Sequence, residues 1–192
     1  RGANSKRHMV YRKLIVLLVL GSIPTATLGI LFEDTFERLF ASPHLIGYTL
    51  ILTGIILTIS SRIQGRKPLD KVTITDALVV GVGQGLAITP GISRSGLTIS
   101  TSLLRGLDRD AATRFSFLLS LPAILGAAVL KMPDLVDGSI GYPLWWVLVG
   151  VVISALTGIM AIAGLRSVLR QGKLQYFAYY TWVLGLITII FV

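Results

Sequence analysis

One arginine stands inside an otherwise uncharged run, Pro90-Gly91-Ile92-Ser93-Arg94-Ser95-Gly96-Leu97-Thr98. Residues 77–93 before it and 95–104 after it carry no charge. A cation at membrane depth is costly and marks a site that faces a cavity or a partner charge. The planar guanidinium of Arg94 can donate two parallel bonds to adjacent oxygens, which is what phosphate recognition requires. Gly91 and Gly96 let backbone N–H groups approach an anion, and a half-helix starting after Pro90-Gly91 would aim its positive end there. Ser93, Ser95 and Thr98 add hydroxyl donors, and Gln84 could orient a water or a phosphate oxygen. The structural alternative for Arg94 is an ion pair with Asp108 or Asp110. Gly81, Gly83 and Gly85 read as close-packing residues between helices. Their string is no dinucleotide fingerprint, because no βαβ context surrounds it.

The elements that must position this motif are apolar. The 192 residues are 53% hydrophobic, with a mean hydropathy of +0.78, far above a soluble domain. The expected fold is an all-α polytopic membrane protein of about five transmembrane helices plus one re-entrant helical hairpin. The spans are about Leu14–Phe32 (with Pro24 inside), Pro43–Ser61, Ala111–Leu130 (with Pro122 inside), Leu144–Leu165 and Leu174–Val192. Asp108 is a candidate N-cap for the third span, and Asp110 and Arg114 are spaced to pair on its first turn. Trp145-Trp146, and Tyr176, Tyr179, Tyr180 and Trp182, suit an interfacial belt. One membrane domain covers 1–192, with residues 1–13 read as a cytoplasmic loop remnant and 77–105 as the hairpin. Gly81, Gly83, Gly85, Pro90, Gly91 and Gly96 argue against a single straight helix through that segment.

Loop charge gives the same topology independently. Residues 1–13 hold five basic and no acidic residues, so the N-terminus should be cytoplasmic. The acidic connection of Glu33, Asp34 and Glu37 should lie outside. The basic loops at 62–76 and 166–173 (Arg166, Arg170, Lys173) belong inside, and the loop with Asp134 and Asp137 lies on the other side. Both ends of the 77–105 segment then fall on the cytoplasmic face, which a hairpin allows and an ordinary span does not; the C-terminus is outside.

Several function classes drop out. The chain has no cysteine, which removes disulfides, thiolate catalysis and cysteine metal sites. The net charge of +9 sits in loops between apolar runs with no aromatic interleaving, a topology signal and not a nucleic-acid surface. His8 and His44 have no second ligand nearby, and Phe115-Ser116-Phe117 reads as packing. No membrane-embedded carboxylate is available as a general base beside Arg94.

The stretch Gln84-Gly85-Leu86-Ala87-Ile88-Thr89-Pro90-Gly91-Ile92-Ser93-Arg94-Ser95-Gly96-Leu97-Thr98 closely resembles the second signature of the bacterial undecaprenyl-diphosphate phosphatase family. Gly106-Leu107-Asp108-Arg109 and Phe115-Ser116-Phe117-Leu118-Leu119-Ser120-Leu121-Pro122 match that family too, and the resemblance runs from about Tyr11 to the C-terminus. It implies an integral enzyme of the bacterial plasma (inner) membrane, built as inverted repeats. Such enzymes hydrolyse a polyprenyl diphosphate lipid to recycle the cell-wall carrier and confer bacitracin resistance. By this resemblance Arg94 and Ser93 are the expected catalytic residues, with Ser95, Thr98, Gly91 and Gln84 at the substrate. It also implies a divalent cation, Mg or Ca, for which no ligand is identifiable here, and leaves a homodimer open. The family's first signature, a glutamate pair followed by a Ser-Ser-Thr-Gly-His run, is absent from these residues. The chain is therefore read as N-terminally truncated and is expected to be inactive by itself. A polyprenyl-phosphate transporter or flippase is the alternative function, because broken helices near the midplane are also a transporter design.

Overall fold

Four stretches of helix are long and apolar enough to cross a membrane: His8–Leu31, Pro43–Ser61, Arg109–Leu130 and Trp145–Gly164. In the computed structural model, which describes residues 2–130, 132–133, 143–170 and 175–191, they belong to an all-helical chain. The helices are α1 (Gly2–Leu31), α2 (Glu33–Phe40), α3 (Pro43–Ser61), α4 (Ile74–Leu86), α5 (Arg94–Leu104), α6 (Arg109–Leu130), α7 (Leu144–Arg170) and α8 (Gln175–Phe191). A single 3-10 turn, Leu69–Lys71, precedes α4. The expected fifth span is α8, an apolar helix of 17 residues. Asp134, Asp137 and Lys173 lie outside the described residues, and so do the side chains of Arg166 and Arg170.

Residues 2–13 are not a loop remnant; they form the first turns of α1. No proline and no internal glycine interrupts the chain between Gly2 and Gly21, and Ala3, Lys6, Arg7, Met9, Arg12 and Lys13 are good helix formers. The helix therefore propagates outward from its apolar part. At the other end of the chain α7 continues past Leu165 to Arg170.

Two helix pairs pack most closely: α1 lies along α4, and α3 along α8. Hydrocarbon gives helices no hydrophobic reason to associate, so small residues that admit close backbones decide where they meet. A Cβ on Gly81 would collide with the carbonyl oxygen of Gly21, and one on Gly85 would meet Leu28 at 2.5 Å. Gly83 faces the other way, onto Thr101 of α5 at 2.9 Å. The packing role read for these three glycines is what the structure shows. Gly54 accepts the indole of Trp182 in the same manner, and Trp182 Nε1 donates to the Ile51 carbonyl at 3.2 Å. The buried core, including Val72, Val80, Ile99, Leu103, Leu107, Phe115 and Leu119, gathers around the hairpin and α6. The outer faces stay apolar, and the Trp145–Gly164 window has no buried residue, as a lipid-facing helix requires. Trp145 and Trp146 stack with centroids 4.5 Å apart.

The segment 77–105 is a hairpin of two half-helices, α4 and α5, whose ends are tied together at one base. Asp76 is fully buried and receives Lys67 Nζ and Arg105 Nε, each at 2.9 Å. It also closes a reciprocal cap with Thr73: the Thr73 N–H donates to Asp76 Oδ2 at 3.0 Å and the Asp76 N–H to Thr73 Oγ1 at 3.2 Å. Burial alone would raise the Asp76 pKa. The hydrogen bonds from Lys67, from Thr73 and from Arg105 outweigh it and hold the carboxyl at about 2. Gly106, at φ +85°, turns the chain so that its carbonyl accepts the N–H groups of Arg66 and Lys67 at 3.0 and 2.9 Å. Both legs therefore start and finish beside the same basic loop, as the breaker pattern and the loop charges require.

Candidate functional site

The hairpin tip is built by glycine and threonine. Gly91 adopts φ +83°, a left-handed conformation that disfavours any side chain, and a Cβ there would strike Thr49. Thr49 Oγ1 donates to the Pro90 carbonyl at 2.6 Å, and Thr53 Oγ1 to the Gly91 carbonyl at 3.1 Å. Thr53 also accepts the Ser93 N–H at 3.3 Å. Two threonines one turn apart on α3 thus clamp the tip through its backbone. Ser93 is the N-cap of α5: its Oγ accepts the Gly96 N–H at 3.2 Å, the usual role of serine at that position. The half-helix consequently begins at Arg94, two residues later than Pro90-Gly91 alone suggests.

Arg94 is the first residue of that helix and is exposed. Among the described residues it has no ion pair; Asp108 instead caps α6 through the Ala111 N–H at 2.8 Å. Asp110 pairs with Arg114 at 2.7 Å. The structural alternative for Arg94 is therefore not realised. The guanidinium lines a cavity of about 250 Å³ together with Ser95, Thr98, Ser116, Phe117 and Ser120. The first-turn N–H groups of Arg94 and Ser95 have no acceptor within the helix and add partial positive charge at the same place.

The hydroxyls in this cavity are not equivalent. Thr98, 1% exposed, lies 2.8 Å from the Arg94 carbonyl and 2.5 Å from Ser116 Oγ. A hydroxyl has one proton, so when Thr98 donates to the carbonyl, Ser116 donates to Thr98. Thr98 is then a positioning residue that fixes the turn carrying Arg94. Ser120 donates to the Phe117 carbonyl at 2.8 Å. Ser95 Oγ has no hydrogen bond among the described residues and is the free donor next to the guanidinium.

Of the residues expected from sequence, the structure brings Arg94, Ser95 and Thr98 together around one cavity. It separates Ser93 and Gly91, which line a different cavity across the helix, with the Ser93 hydroxyl committed to its cap. Gln84 lines neither cavity. Its Nε2 donates to Thr25 Oγ1 and to the Leu119 carbonyl, both at 3.3 Å, which makes it a junction of α1, α4 and α6. Ser116, taken from the sequence as packing, and Ser120 were not anticipated at the site. The signal was available, because two serines four residues apart on an apolar helix share one face.

The cavity does not fit a divalent cation. Its polar walls are one guanidinium and four hydroxyls, with no carboxylate or imidazole, and a hard dication seeks anionic oxygens. No step is derived through a metal. Among the described residues no three His, Asp or Glu side chains cluster as metal ligands.

An arginine that has no ion pair among the described residues, on the first turn of a half-helix and beside hydroxyls inside an apolar helical chain, belongs to a polytopic membrane protein. The chain belongs to the family described as "Bacitracin resistance protein BacA", which matches residues 2–187. A protein of Carboxydothermus hydrogenoformans named undecaprenyl-diphosphatase is 50% identical over 90% of this chain and 68% of its own length. One of Halothermothrix orenii with the same name is 46% identical over 93% of this chain and 70% of its own length. A relative from Methanothermobacter thermautotrophicus, also so named, is 40% identical over 88% of this chain and 96% of its own length. The chain thus spans about two thirds of the first two relatives and nearly all of the third.

Proposed function

We infer that this chain works as an undecaprenyl-diphosphatase, releasing phosphate from the lipid diphosphate and leaving undecaprenyl phosphate. The observation that carries this reading is Arg94, which has no counter-ion among the described residues and stands at a helix N-terminus beside a hydroxyl-lined cavity. The shared name of its relatives supports it. In the reaction, water adds to the terminal phosphorus, the bond to the bridging oxygen breaks, and the lipid phosphate leaves with the electron pair. Charge spreads over the terminal phosphoryl oxygens as this happens. Arg94 would hold two of them, Ser95 Oγ a third, and the first-turn amides would supply fixed positive potential. The cavity is smaller than the ~300–1,000 Å³ typical of whole-ligand sites, which suits a headgroup. Among the described residues Arg94 is the only ionisable side chain lining it, so these walls would bind and neutralise without removing a proton.

The protein is proposed to sit in the bacterial plasma membrane with its N-terminus cytoplasmic and its C-terminus outside, on the loop-charge argument. The test is phosphate release in detergent from C55 or C15 prenyl diphosphate. Arg94→Ala should abolish it while sparing expression, and near wild-type turnover would sink the assignment. Release in detergent also excludes a flippase, which needs a bilayer and liberates no phosphate. The 192-residue chain is itself the protein to assay, because the Methanothermobacter relative is matched along 96% of its length; folded chain that binds diphosphate and releases no phosphate would overturn the reading.

A further inference from the structure

The second cavity at the hairpin tip, about 370 Å³, lies across α5 from Arg94 and has walls of a different chemistry. Leu50 and Leu57 of α3, Ile92 and Ile99 of the hairpin, and Phe177 and Tyr180 of α8 make it largely apolar. Ser95 belongs to both cavities, so the apolar space adjoins the headgroup space at the one free hydroxyl of the site. Ser93, the polar residue facing the apolar cavity from the tip, has its hydroxyl occupied by the cap. The Thr181 hydroxyl is likewise committed, to the Ala178 carbonyl at 3.0 Å, and among the described residues no charged side chain lines this second space.

We propose that this cavity is the subsite for the isoprene units next to the diphosphate, so that the substrate lies across the first turn of α5 with its headgroup at Arg94 and its tail against α3 and α8. The proposal rests on the phosphatase reading above and deepens it. An apolar tail gains little from hydrophobicity when it leaves a bilayer or micelle, so the cavity contributes through shape and contact. It has room for a few isoprene units and not for a whole C55 chain. Selectivity should therefore rise over the first units and then level off. The clamp of Thr49 and Thr53 gives the arrangement its rigidity, since the same two side chains of α3 hold the tip that separates the two spaces.

The test is binding of inorganic diphosphate, C5, C15 and C55 prenyl diphosphates to the 192-residue chain in one detergent. Wild-type affinity should rise roughly three- to tenfold from C5 to C15, as contact-driven association in an apolar medium allows, and change little from C15 to C55. Leu50→Trp, which fills the cavity from α3, should remove the C5-to-C15 gain and leave inorganic diphosphate affinity unchanged. If Leu50→Trp does not fold, Tyr180→Ala, at the exposed rim, should shrink the same gain. A gain that survives in the folded variant, or no gain in wild type, overturns the tail subsite. Loss of all diphosphate affinity dependence on Arg94 would instead overturn the phosphatase reading, so the two failures are distinguishable.

Discussion

The two ends of the hairpin treat charge in opposite ways. At the base, Asp76 is buried between Lys67 and Arg105, and these three charges pair with one another. At the tip, Arg94 has none among the described residues, and the groups around it are hydroxyls and helix-end amides. A matched charge network fixes geometry, whereas an unmatched cation beside neutral donors leaves binding capacity for an anion. The base is the part that holds the legs together, and the tip is the part to which the proposed function assigns recognition.

Breaking the base should give the largest stability effect. Asp76→Ala strands two cations and uncaps α4, and a loss of about 3 kcal/mol is expected, read as a lowered thermal midpoint in detergent. Phosphate release per folded molecule should change little. Breaking the tip should do the reverse. Arg94→Ala should lower turnover by about 10²–10³-fold, the cost of removing one transition-state donor, with an unchanged midpoint. If both variants moved the same readout, the division between holding and recognising would fail.

Acid separates the ends without mutation. The Asp76 carboxyl titrates at about 2 in the folded chain, below its ordinary 3.8. Its stabilisation of about 2 kcal/mol is then complete above about pH 5 and is lost as pH falls toward 2. A thermal midpoint that drops over that window in wild type and stays flat in Asp76→Asn would sharpen the comparison. The smallest change expected is in the clamp. Thr53→Val keeps the shape but removes the bonds to the Gly91 carbonyl and the Ser93 N–H, costing about 1 kcal/mol. It should raise KM more than it lowers the midpoint, because it loosens the turn that presents Arg94.

The base and the tip also differ in how far their sequence could be read. The hairpin followed from its glycine and proline breaks and from the charges of the flanking loops, two independent properties of the chain. The pairing of Asp110 with Arg114 and the cap by Asp108 followed from spacing along one helix. What escaped were contacts between helices. Thr49 and Thr53 look like ordinary helix threonines that return a bond to their own turn, and nothing local says that they reach the tip. Ser93 was expected at the chemistry by resemblance to the family motif; what the sequence did not show is that its hydroxyl accepts the Gly96 N–H as the cap of α5. Gln84 lies ten residues from Arg94 on the other leg, where α1 and α6 take up its amide. The extra turns of α1 escaped because polar composition was taken as loop, although no breaker stood there.

Gly21 and Gly81 bring α1 and α4 backbone to backbone, with no side chain between them to re-rotamerise. One helix can pass the other only by a whole ratchet notch, so this pair behaves as a fixed wall. The Arg94 cavity lies between α5 and α6, and in α6 Pro122 follows Ser120 by two residues and deprives the Leu118 carbonyl of its helical donor. That makes α6 the yielding wall of the cavity, whereas the glycine-locked α1 and α4 cannot shift by less than a notch.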